Sequence, residues 1–128
     1  MILLDTCVLF WLEQEPARIS GLAKQVIAAR GTPCFASSIS ALELGLKVAH
    51  NQLTLPLQPG AWLHEVCARR GIAELPVLFR IAGNSALLPP IHKDPFDRIL
   101  IATAMEHSLT LVTPDQFIPR YPNLNTLW

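Results

Sequence analysis

Four carboxylates, Asp5, Glu43, Asp97 and Asp115, stand in separate segments that each bear signs of a structured approach. Asp5 breaks an apolar opening, Ile2-Leu3-Leu4, and Asp115 comes three residues after the apolar pair Leu111-Val112. Glu43 lies within a helical pattern, and Asp97 follows Asp94-Pro95-Phe96 at the start of another. Carboxylate oxygens are what a hard divalent cation takes as ligands, Mg²⁺ commonly keeping several waters beside one or two of them. A cation so held suits phosphodiester hydrolysis, in which an anionic ester resists an anionic nucleophile: metal lowers the pKa of water, neutralises phosphate oxygens and steadies the leaving oxygen. Acids brought together without metal repel, so some should hold protons and metal binding should depend on pH.

Each acid also has a plainer reading. Asp5 can cap the helix that begins at Thr6. Glu43 stands four residues before Lys47, the favourable spacing for a surface ion pair. Asp115 can open a turn with Pro114. Asp94 precedes a proline suited to the first helical position and reads as an N-cap, which leaves Asp97 in the first turn, where an acid can complete a capping box. His92 precedes this helix and is either a loop histidine or an approach to the site. Cys7 lies two residues beyond Asp5, but a thiolate matches Mg²⁺ poorly, so it reads as packed.

The elements that must position these groups follow from pattern. Ile2-Leu3-Leu4 is too brief for a core helix and reads as a buried parallel strand, followed by a helix from Thr6 to Leu12. Ser20 caps Gly21 to Arg30, with Gly31 as the stop. Cys34-Phe35-Ala36 forms a second strand, and Ser38 or Ser40 caps a helix to about His50, with Ile39, Leu42, Leu46 and Ala49 on its apolar side. A helix from Gly60 to Arg70 closes at Gly71. Ile72 to Leu75 is a third strand, Val77 to Leu87 helical, and Pro95 to His107 the best-marked helix. Leu109 to Val112 is a strand, Pro114 to Ile118 a turn of helix, and Leu124 to Trp128 a last strand. Strands alternating with helices give a three-layer α/β/α domain with a mostly parallel central sheet. Ligands of such sheets bind beyond the carboxyl ends of the strands, which is where Asp5 and Asp115 fall.

Composition limits the alternatives. With 128 residues, 51% of them apolar and 16% charged, the chain suits one domain over residues 1–128 and can bury a core. Ten basic and ten acidic side chains cancel, unlike a protein that coats a nucleic-acid duplex, so any RNA contact should be local. Three cysteines without a Cys-x-x-Cys pair read as reduced thiols. The brief apolar start carries Asp5 and has no basic lead, and no run reaches the length of about eighteen apolar residues needed to span a membrane. A cytoplasmic protein with no membrane partner is expected.

The order Leu4-Asp5-Thr6 with Leu9 and Trp11-Leu12, Ser37-Ser38-Ile39-Ser40 leading to Glu43, His92-Lys93-Asp94-Pro95-Phe96-Asp97-Arg98 through Ile99 and Ile101-Ala102-Thr103-Ala104, and Leu111-Val112-Thr113 before Asp115 and Phe117 resembles the PIN-domain ribonucleases. Within them it is most similar to VapC-type toxins of bacterial toxin–antitoxin pairs. The resemblance spans nearly the whole chain, with Asn51 to Pro90 contributing little. It implies a compact α/β/α fold and an Mg²⁺- or Mn²⁺-dependent endoribonuclease. Asp5, Glu43, Asp97 and Asp115 would be its acids, the last often an indirect ligand, and the hydroxyls of Thr6 and Thr113 would support them.

It further implies RNA as substrate, a VapB-type antitoxin whose tail covers the pocket, and a homodimer. Exposed apolar residues on Ile19 to Ile27 and Ile39 to Leu46 would receive the antitoxin. Arg98, with Lys47, Lys93 and Arg120, would meet phosphate. Cys7 and Pro114 depart from the usual pattern. The competing class is a non-catalytic PIN-like interaction module. An Asp-x-Asp phosphatase is disfavoured by Cys7, and a receiver domain by the lack of an acidic pair at the first strand and of a lysine after Leu111-Val112-Thr113.

Overall fold

The computed structural model describes every residue from Met1 to Trp128. Its centre is a five-stranded sheet in the order β3-β2-β1-β4-β5, with every neighbouring pair parallel. The strands are β1 (Ile2–Leu4), β2 (Cys34–Ser37), β3 (Ile72–Leu75), β4 (Thr110–Val112) and β5 (Thr126–Leu127). Leu3 pairs in register with Phe35 on one side and Leu111 on the other. All three residues of β1 are buried, as a central strand covered on both faces requires.

Alternation along β1 divides the interior in two. Ile2 and Leu4 enter one core with Val8, Leu9, Leu44, Trp62 and Val66, while Leu3 enters the other with Leu100, Ile101, Ala104 and Leu111. The first core is covered by α1 (Thr6–Gln14), α2 (Gly21–Ala28), α3 (Ile39–Ala49) and α4 (Pro59–Arg70). The second is covered by α6 (Pro95–Glu106), on which α5 (Phe79–Leu87) packs. This is the α/β/α arrangement expected from the alternating pattern.

Local signals set most boundaries. Ser20 caps α2 by accepting the Ala23 N–H at 3.1 Å. Gly71 ends α4 at φ +65°, a conformation that a β-carbon disfavours. Several boundaries differ from expectation: α1 runs on to Gln14, α5 begins at Phe79 rather than Val77, and the last strand is only Thr126–Leu127. α2 stops at Ala28, short of Gly31, and in place of the turn of helix expected over Pro114 to Ile118 there is a 3-10 turn over Ile118–Arg120. The largest difference is the rotation of α3. Leu42 and Leu46 are 53% and 40% exposed, whereas Leu44 is buried among the first core. Ser38 holds the N-cap position of this helix as expected, but its side chain makes no cap bond: Ser37 Oγ accepts the Ile39 N–H, Ser38 Oγ accepts the Val77 N–H, and Ser40 bonds Thr6. The inward stripe places Leu44 in the first core and Ser40 against a buried hydroxyl partner, so its polar group is satisfied there.

Chain order places a crevice. From β1 the chain proceeds outward through β2 to β3, then crosses back to β4 and β5 on the other side. The connections diverge beyond the carboxyl ends of β1 and β4, and ligand sites of open parallel sheets form at such a point. No helix is long and apolar enough to cross a membrane.

Candidate functional site

Asp5 and Thr113 are the first residues past β1 and β4, the two strands that flank the crevice. Both are buried, and Thr113 Oγ1 donates to Asp5 Oδ2 at 2.6 Å. Asp5 Oδ1 accepts the Cys7 N–H at 3.2 Å, so the helix-cap reading is also correct in part. Burial pushes the Asp5 carboxyl above its ordinary value, the bonds from Thr113 and Cys7 oppose this, and repulsion from Glu43 adds to it. The Cys7 thiol is driven upward by burial and then by Asp5, which keeps it a packed, protonated group.

Glu43 is delivered by α3, and α3 is tied to α1 by a fully buried bond of 2.8 Å between the hydroxyls of Thr6 and Ser40. Thr6 thus supports the site through Ser40 rather than by touching an acid. The expected pair exists, with Lys47 Nζ 3.1 Å from Glu43 Oε1. The other oxygen, Oε2, is buried and has no hydrogen-bond partner. Leaving a charged oxygen so costs free energy unless something binds it.

Asp97 comes from the first turn of α6, which Asp94 caps by accepting the Phe96 N–H at 2.8 Å. Burial, then repulsion from Asp5, Asp94 and Glu43, hold the Asp97 carboxyl at about 7 against the opposing pull of His92. Asp5, Glu43 and Asp97 therefore share one electrostatic neighbourhood although they come from three separate elements.

Asp115 stands beside them. Its Oδ1 accepts the N–H groups of Phe117 at 2.7 Å and Ile118 at 3.0 Å, and its own N–H donates to Thr113 Oγ1. Burial works against its charge, but the Ile118 N–H, His92 and the Phe117 N–H outweigh it and hold the carboxyl below the ordinary range. His92 Nε2 lies 3.1 Å from both Asp97 Oδ2 and Asp115 Oδ2. One potential ligand atom from each of these three residues falls within 4.8 Å of the others. The unpartnered Glu43 oxygen, the raised Asp5 and Asp97, and an all-oxygen donor set beside one imidazole fit a hard divalent cation.

Arg98 is engaged by the chain's own backbone. Its guanidinium donates to the carbonyls of Ser85, Ala86, Leu88, Pro89 and His92 and approaches the Tyr121 hydroxyl, so it clamps the end of α5 and the following loop. A helix end offers unpaired carbonyls, and the planar fork of arginine meets several at once. Lys93 is exposed, and Arg120 lies over the Phe117 ring, 4.7 Å from its centroid. Ser40 and Tyr121 were passed over as site residues. The spacing of Ser40 three residues before Glu43, on one face of a helix, is a signal for the first; Tyr121 has none in the sequence, because its partners are brought by folding. A separate cavity of about 310 Å³, lined by Ser38, Ala41, Leu63, His64, Cys67 and Glu74 among others, includes none of the four acids.

Comparison with known proteins agrees with this fold. The chain is 30% identical over 130 residues to Ribonuclease VapC22 of Mycobacterium tuberculosis, covering 99% of this chain and 98% of that one. Among solved structures it is similar to a chain of FitAcB from Neisseria gonorrhoeae, with a TM-score of 0.64 at 26% identity over 100% of this chain and 97% of that one. It also shares its fold with a chain of VapBC2 from Rickettsia felis, crystallised with a fragment of promoter DNA, with a TM-score of 0.73 at 18% identity over 99% and 98%. The family model described as PIN domain matches residues 2–124, and the chain belongs to that family.

Proposed function

We propose that this chain is a metal-dependent endoribonuclease and the toxin of a toxin–antitoxin pair. The observation that carries the reading is the buried Glu43 Oε2 without a hydrogen-bond partner, in a site where burial and neighbouring acids raise the Asp5 and Asp97 carboxyls. Such an arrangement is costly for a structural role and favourable for a cation. Mg²⁺ or Mn²⁺ there would be held by Asp5, Glu43 and Asp97, with Asp115 alongside, and would supply the charge that makes water a nucleophile and steadies the phosphate.

The chain's own groups prepare that site. Thr113 orients Asp5 through Oδ2. Lys47 holds one Glu43 oxygen and leaves the other turned inward. Asp97, at about 7, holds a proton at its carboxyl until a cation competes for it. The Thr6–Ser40 bond fixes the helix that carries Glu43 against the helix that begins at Asp5.

An antitoxin and a second copy of the chain are proposed as partners. The support is the solved relatives, which include a toxin–antitoxin complex from Klebsiella pneumoniae. Leu22 of α2, and Leu42 and Leu46 of α3, supply exposed apolar contacts on the helices expected to receive the antitoxin. The test is cleavage of pooled transfer and ribosomal RNA with Mg²⁺, Mn²⁺ or EDTA, alongside Asp97→Asn. Discrete fragments that require both metal and Asp97 are expected, a loss of about 10³-fold or more in the variant. Normal cutting by Asp97→Asn would overturn the site.

A further inference from the structure

His92, Asp97 and Asp115 are close enough to be taken for three ligands of one ion. The hydrogen bonds around them argue otherwise. His92 Nδ1 accepts the Asp94 N–H at 3.1 Å, so the ring proton of the neutral imidazole belongs on Nε2. Nε2 in turn is hydrogen-bonded to Asp115 Oδ2 at 3.1 Å. A nitrogen that carries a proton has no lone pair for a metal. For Nε2 to ligate, the proton would have to move to Nδ1, where it would face the Asp94 N–H donor.

The residue is also pinned from every side. The His92 N–H donates to the Tyr121 hydroxyl at 2.9 Å, and its carbonyl accepts from Arg98 at 3.2 Å. Tyr121 itself donates to the Pro89 carbonyl, and the Phe117 ring meets the imidazole edge-on, with centroids 6.2 Å apart and planes at 88°. Swinging the ring to offer a different nitrogen would break the bonds at both ring nitrogens and the edge contact with Phe117.

Asp115 is similarly committed. Two backbone N–H groups occupy Oδ1, and His92 occupies Oδ2. By contrast, Glu43 Oε2 is unpartnered, and Asp97 meets only the His92 ring through its Oδ2. Carboxylate–imidazole pairs that orient a neighbouring ligand without joining it are a recurrent way of tuning a metal site.

We infer that His92 is a positioning residue: Asp115 Oδ2 fixes the imidazole, the imidazole, with Nε2 3.1 Å from Asp97 Oδ2, sets where that carboxylate lies, and the imidazole does not itself ligate the cation. This rests on the cation reading above and is independent of whether RNA is the substrate.

The test is long-range ¹H–¹⁵N NMR of the histidine side chains in the unaltered protein at mildly alkaline pH, without and with saturating Mg²⁺, using His92→Gln for assignment. The proton is expected on Nε2 in both states. Calorimetric Mg²⁺ titration should show binding about 10-fold weaker in His92→Ala, largely recovered in His92→Gln, which retains a donor. Asp115→Asn should weaken binding by a similar factor, while Asp97→Asn abolishes it. A proton that moves to Nδ1 when Mg²⁺ binds, or a His92→Ala variant that loses binding as completely as Asp97→Asn, overturns the inference with the cation site intact. Failure of the unaltered protein to bind Mg²⁺ or Mn²⁺ overturns the cation site itself.

Discussion

Asp97 carries the clearest consequence of a single residue's surroundings. Its carboxyl is held at about 7, well above the ordinary aspartate range. A folded state that retains this proton more tightly than the unfolded chain is favoured at low pH. Its stabilisation is full below about 4 and is lost as pH rises through about 7, and Asp5 acts in the same direction. In EDTA, stability should therefore fall between these limits, and Asp97→Asn should flatten the profile and stabilise the protein at pH 7.5 by about 1–3 kcal/mol. Urea unfolding across the range measures both. Metal acts with the opposite sign: a cation displaces the proton, so Mg²⁺ affinity should climb by up to about 10-fold per pH unit below 7 and level off above it. Affinity that is flat with pH would mean that Asp97 does not exchange a proton for metal.

At the scale of elements, the site depends on how three helices are held against the ends of two strands. α3 is fixed to α1 by the Thr6–Ser40 bond, and α6 to the preceding loop by Arg98. Arg98→Lys retains the charge but cannot satisfy carbonyls spread from Ser85 to His92, so the cost belongs to folding. A loss of about 2–4 kcal/mol is expected in urea unfolding, with the salt dependence of RNA affinity unchanged. Should Arg98→Lys instead keep its stability and lose salt dependence, the guanidinium would be a phosphate contact after all.

The distribution of charge over the whole molecule sets how it meets a polyanion. Ten basic and ten acidic side chains give no net charge, and five of the ten cations, Arg18, Lys47, Arg69, Arg70 and Arg80, stand in ion pairs with carboxylates. Arg98 is committed to carbonyls, which leaves few cations free to displace counterions. Log affinity for single-stranded RNA should thus fall against log salt with a slope no steeper than about −2, equivalent to about three phosphates. Filter binding of Asp97→Asn, with Mg²⁺ fixed, gives the slope; a value near about −5 would require a cationic surface assembled in some other way, such as across two copies.

Much of this was legible in the chain itself. Apolar triplets between helical segments specify buried parallel strands, because only a strand covered on both faces lacks polar alternation. Ser20, Gly71 and Asp94-Pro95 end or begin helices through their own backbone preferences, and they do so here without tertiary help. Asp5 and Asp115 could be placed at one edge from strand order alone. What the sequence left open was decided by contacts between distant residues. The face of α3 that turns inward carries Ser40, bonded to Thr6, and Leu44, and leaves Leu42 and Leu46 exposed. Arg98 was drawn to helix-end carbonyls that do not exist until α5 forms. His92 is indistinguishable from a loop histidine until folding brings Asp94, Asp115 and Tyr121 to it from three directions. Local preference is written in neighbouring residues; the direction in which a polar side chain makes its bonds depends on partners that only the tertiary structure supplies.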